Sequence, residues 1–151
     1  MIESATLNDF SRGFFEELKE RFPDVASKAV IDDEPTAAPG SLLVRFAPDE
    51  SRPKCFFLLM TDRGEITVGF DMYHSHFSWP SQLDEWQLDP LAFIDALVND
   101  RILIEVTRDG GKWMGSRVVE AEHQPDAPST EGEQTISIRS WSGRLDRDYP
   151  E

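Results

Sequence analysis

The chain has one cysteine, three histidines, and only 15 lysines and arginines against 29 aspartates and glutamates. A single thiol forms no internal disulfide, and the setting of Cys55 in "KCFFLLM" reads as a buried, inert side chain rather than a nucleophile. The shortage of bases leaves a formal net charge of −14. Such a field repels nucleic acid and anionic membranes, so neither is expected as a partner. Apolar runs are short, and none approaches the roughly 18–20 residues of a bilayer span. "MIESATLNDF" lacks a basic stretch followed by an apolar one, so no signal peptide is expected and the chain reads as soluble and cytoplasmic. Two catalytic signatures are missing as well. "DGGK" has neither the spacing nor the following helix of a phosphate loop, and no serine sits in a G-x-S-x-G elbow.

What is present suits a globular protein. The 151 residues are 39% hydrophobic and 11% aromatic, enough for one domain over 1–151 with a full core. "TLNDFSRGFFEELKERF" spaces Leu7, Phe10, Phe14, Leu18 and Phe22 as one face of a helix, with Thr6 or Asn8 as the cap and Pro23 as the stop. The segment "DVASKAVIDDEPTAAPGS" reads mainly as a loop. Strands are expected at "SLLVRF", "KCFFLLM" and "EITVGFDMYHSHF", the last two joined by the turn "TDRG". In "DPLAFIDALVNDR", Asp89 stands at an N-cap and Pro90 at the first helical position, with Leu91, Ile94, Leu97 and Val98 as the apolar face. A hairpin about "RDGGK" and a final strand "TISIRSW" complete the pattern. The expected fold class is therefore α+β: a largely antiparallel sheet of about six strands in α-β-β-β-α-β-β-β order, with two helices on one face. The polar loop 123–134 and the tail 142–151 are expected to be mobile.

One stretch concentrates candidate chemistry: "GFDMYHSHFSWP", residues 69–80. If the strand stays regular, Val68, Phe70, Met72, His74 and His76 share a face. Two imidazoles one residue apart on a strand can ligate a metal, but a site needs a third ligand and none is indicated. The reading adopted is that His74 and His76 hydrogen-bond at the rim of the core, with no metal and no cofactor. Tyr73, Phe77, Trp79 and Trp86 follow in or near irregular chain, where they either close the end of the sheet or anchor a partner. "SWSGRLD" reads as a strand end and turn with Trp141 packed at the edge.

The acids are grouped. Glu120, Glu122, Asp126, Glu131 and Glu133 run without a lysine or arginine over 119–133, and further groups lie at Asp32–Glu34 and at Asp84, Glu85 and Asp89. Acids interleaved with aromatics suit a surface that binds a basic protein. The run "GEITVGFDMYHSHFSW", the segment "DPLAFIDALVNDRILIEV", and the late "SWSG" with Asp146 resemble small bacterial immunity proteins. These accompany polymorphic or contact-dependent toxins. The resemblance implies a non-enzymatic protein that blocks a cognate toxin domain, with no catalytic residue to assign. A basic nuclease groove, if that is the target, would attract a chain of this charge. The expected contact surface is Tyr73, His74, His76, Trp79, Asp84, Glu85, Trp86, Glu120 and Glu122. Two other classes stay open: a small-ligand or metal-binding enzyme using His74 and His76, and an assembly subunit that pairs through its aromatics. The chain is accordingly expected as a monomer or a homodimer.

Overall fold

The computed structural model describes residues 1–52, 54–81, 83–123 and 127–151. The expected loop 123–134 and the acid Asp126 thus lie partly or wholly outside the described residues. Helix α1 (Asp9–Arg21) starts at Asn8, whose side-chain oxygen accepts the Ser11 amide at 2.9 Å. That bond satisfies one of the free amides of the first turn. Phe14, Phe15 and Leu18 are fully buried along one side. The helix ends before Pro23, which opens the short α2 (Pro23–Ala26); its fixed φ suits a first helical position.

The chain then forms a five-stranded antiparallel meander in sequence order. Its strands are β1 (Ala29–Ile31), β2 (Leu42–Phe46), β3 (Phe57–Asp62), β4 (Glu65–Phe70) and β5 (Tyr73–Ser78). β1 lies inside the segment that reads as loop, because three residues give no measurable period. The turn between β3 and β4 places Arg63 and Gly64 at φ 50° and 84°. Two consecutive left-handed residues match the twist of the flanking strands.

The run 65–77 is two strands, not one. Phe70 pairs with Tyr73, and Asp71, at φ 55°, carries the chain round between them. Aspartate tolerates this left-handed conformation better than most residues. The hairpin resets the alternation: Val68 now lies opposite Ser75, while Gly69 lies opposite His74 and Thr67 opposite His76. Directly paired residues share a face. His74 and His76 are therefore on the face away from Val68 and Phe70, and both are exposed. The expectation that they extend the buried row of Phe70 and Met72 is corrected.

Helix α3 (Pro90–Val98) begins as its sequence indicates, with the Asp89 carboxylate accepting the Ala92 amide at 2.8 Å. Leu91, Ala92, Phe93, Ile94, Ala96 and Leu97 are all buried. A helix apolar almost all round must be covered on several sides, and α3 touches both β4 and the first strand of a second sheet. That sheet contains β6 (Ile102–Asp109), β7 (Lys112–Glu120), β8 (Gln134–Arg139) and β9 (Arg147–Tyr149), in the order β7-β6-β8-β9. Gly110 and Gly111, at φ 58° and 82°, make the β6–β7 turn.

The protein is α+β. Among the described residues there are nine strands in two antiparallel sheets, where six were countable from sequence. The main core joins α1, α3, the first sheet, and Ile102, Ile104 and Val106 of β6. A smaller cluster of Leu103, Ile136 and Ile138 lies across β6, covered by Val119, Leu145 and Tyr149. Trp141 seats its ring against Phe46, Phe57 and Phe70, with centroids 5.4–5.9 Å apart. No helix of the described residues is long and apolar enough to cross a membrane.

Candidate functional site

The turn that leads into α3 presents Trp86 beside its first residues. The indole packs against Phe93, ring centroids 6.4 Å apart, and stays half-buried. One side of it walls a cavity of about 270 Å³ with Ala96, Ile102, Arg101, Glu120 and Glu122. A second cavity of about 290 Å³ is walled by Trp86 with Asp84, Glu85, Arg21, Asp95 and Arg101. Five of the nine residues expected on a contact surface are thereby gathered around one indole: Asp84, Glu85, Trp86, Glu120 and Glu122.

The charges here are unevenly matched. Arg101 is bonded to Asp95, and Glu120 accepts from His123 Nδ1 at 2.8 Å. Asp84, Glu85 and Glu122 have no cationic group within 4.0 Å among the described residues. The result is a shallow acidic groove with an aromatic wall. Glu120, Glu122 and His123 bring ligand atoms within 4.8 Å of one another, the one such three-residue group among the described residues. His123 and Glu122 are exposed, and solvated acids adopt such spacings without an ion, so the group identifies no metal centre.

The other four expected residues go elsewhere. Tyr73 points inward and stacks on Phe93, 6.2 Å between centroids. Trp79 folds back on α1, edge-on to Phe10 and Phe14 at 5.9 and 5.4 Å; it holds the helix to the sheet. His74 and His76 stand side by side on the outer face, centroids 5.2 Å apart and nearly perpendicular. His76 Nδ1 lies 2.7 Å from Glu65 Oε1 and 2.8 Å from Thr67 Oγ1. That nitrogen is occupied, and among the described residues the pair forms no three-ligand group. Cys55 is 5% exposed, and burial pushes its thiol up from the ordinary value, as befits an inert side chain.

Sequence reasoning missed a second groove. About 510 Å³ in volume, it runs between the outer face of the first sheet and β7, where Arg45, Lys54, Phe56, Met72 and Trp113 meet His74. Trp113 and Met114 follow "RDGGK" directly, and two large apolar residues beside a hairpin turn were the available signal. Comparison with protein-family models, curated proteins and solved structures finds no match for the chain.

Proposed function

We propose that this is a non-enzymatic binding protein that neutralises a basic partner, as an immunity protein blocks its cognate toxin domain. The observation that carries the reading is the gathering of Asp84, Glu85, Glu120 and Glu122 around the half-buried Trp86. A large, partly buried ring at the centre of a contact is a common hot spot of binding energy. Carboxylates around it accelerate encounter with a basic surface and set its orientation. The overall charge of −14 extends that field well beyond the groove.

The test is association with a toxin domain encoded beside the gene for this chain. Purified separately and mixed, the two should form a complex whose on-rate falls steeply with ionic strength. Trp86→Ala should weaken it about tenfold or more. Glu85→Lys with Glu122→Lys should slow association without unfolding the protein. A complex indifferent to salt and to both changes, or no complex at all, defeats the reading.

A further inference from the structure

The five-stranded sheet has a helical layer on one side only. The residues that alternate inward, Leu42, Val44, Phe57, Leu59 and Val68, share the buried core with Phe14, Phe15, Leu18 and α3. The opposite side chains form rows across the strands. Leu43, Met60, Thr67 and His76 are in register, and so are Arg45, Leu58, Gly69 and His74. Val30 extends the first row from β1. An antiparallel sheet with one solvated face normally carries polar residues there. This face sets a large apolar area among its polar side chains: Val30 is 49% exposed, Phe56 39%, Met72 47% and Trp113 50%, with Leu43, Leu58 and Met60 half-buried between them.

The groove on this face, lined by Arg45 and Lys54 against the single acid Asp71, has a charge opposite to that of the molecule. Arg45 sits 4.8 Å above the Phe56 ring, and Lys54 lines the same groove. Neither has a carboxylate within 4.0 Å among the described residues, although acids outnumber bases 29 to 15. The one acid lining the groove is Asp71, which already feels Arg139 and Arg108.

We propose that the outer face of the first sheet, centred on Arg45, Phe56, Leu58 and Trp113, docks an acidic, apolar segment of a partner polypeptide. Apolar side chains of the segment cover Leu58, Phe56 and Trp113, and its carboxylates meet Arg45 and Lys54. Gly69 keeps the floor of the groove low. Other occupants fit less well. A second copy related by a two-fold axis sets Arg45 and Lys54 of one chain near those of the other. A small molecule in an enclosing pocket buries most of its surface, and side chains 39–50% exposed on an open sheet do not enclose one. Nucleic acid meets the repulsion of the whole chain. This surface is distinct from the acidic groove at Trp86, and its partner has the opposite charge.

Two short synthetic peptides of one length test the assignment: Asp and Glu alternating with Leu and Phe, and the same peptide with Lys for every acid. Each is titrated into the full chain while backbone and indole amide resonances are followed. The acidic peptide should shift the Trp113 indole and the amides around Leu58 and His74, with affinity falling as salt rises. Arg45→Glu with Lys54→Glu should weaken it about tenfold or more, and Trp113→Ala should do the same with the charges intact. The basic peptide should leave this face unperturbed, whatever it does at Trp86. The proposal is overturned if the acidic peptide causes no shift there or both peptides bind the face equally. It is also overturned if an oligothymidylate binds there more tightly than the acidic peptide, or if the face is already closed by self-association that Trp113→Ala abolishes.

Discussion

Arg52 Nη1 lies 2.9 Å from Asp146 Oδ2, and the same guanidinium donates to the carbonyls of Ser140 at 3.0 Å and Trp141 at 2.6 Å. The second Asp146 oxygen accepts the Ser140 amide at 2.8 Å. One arginine thus ties the turn "SWSGRLD" to the chain before β3 and seats Trp141 against its three phenylalanines. The two side chains are 17% and 21% exposed, so truncation leaves polar groups that water reaches poorly. Arg52→Ala should cost about 2 kcal/mol, seen as a lower urea midpoint. Arg52→Lys should recover only part of the loss, because an ammonium cannot fork to two carbonyls and a carboxylate at once. Lys19→Ala breaks an exposed pair with Glu16 and should leave the urea midpoint essentially unchanged.

Two glycines in strands make a sharper contrast. A Cβ on Gly69 would sit 2.8 Å from the Tyr73 carbonyl oxygen and 3.1 Å from His74 Cβ, whereas one on Gly115 would meet nothing within 4 Å. Neither glycine has positive φ, so space alone separates them. Gly69→Ala should destabilise the protein by about 2 kcal/mol, since the clash is with backbone of the paired strand. Gly115→Ala should be neutral, or stabilising by up to about 1 kcal/mol through the unfolded chain. Thermal melts of the two variants decide it.

The two long helices, the β3–β4 and β6–β7 hairpins, and the α+β class were legible because each has a local cause. Asn8 and Asp89 cap, Pro90 starts a helix, and Gly64 and Gly111 turn. The division into two sheets was not legible, since no single segment encodes which strands pair. β1 and β9 are three residues each, too short for alternation to register. The face of His74 and His76 was misjudged for one reason. A tight turn built on Asp71 and Met72 carries no glycine or proline, so the chain reads through it as one strand. Of the expected surface, the acids near Trp86 came together because α3 abuts β6 and the end of β7. Trp79 turned inward because α1 needed a partner for Phe10 and Phe14.

The histidine pair should prove indifferent to metal. His76 Nδ1 is held by Glu65 and Thr67, and a lone pair of exposed imidazoles binds ions weakly without a third ligand. Zinc or EDTA should leave the melting temperature unchanged. His76→Ala should cost less than about 0.5 kcal/mol, the usual scale of an exposed pair. Stabilisation by zinc that survives His74→Ala and disappears in His123→Ala would instead place the ion at Glu120 and Glu122.

Asp71 should make the protein less stable at neutral pH than it is in mild acid, once other carboxylates are discounted. Burial pushes its carboxyl above the ordinary value, against the opposing fields of Arg139 and Arg108 and the hydrogen bond from the Met72 amide. The folded state therefore holds the proton more tightly than the unfolded chain. Stability falls as pH rises through the raised value, and the penalty is relieved as pH drops toward the ordinary range of an unfolded aspartate. Asp71→Asn removes the charge and keeps a side chain that tolerates the left-handed backbone. The variant should be the more stable protein near neutrality, and its advantage should shrink on acidification. Groups such as Asp49 and Glu16, whose pKa values hydrogen bonds hold down, titrate alike in both proteins. The difference between the two urea midpoints across pH is consequently the quantity to measure. A difference that stays flat, or grows toward acid pH, shows that Asp71 ionises in the fold as easily as in the open chain.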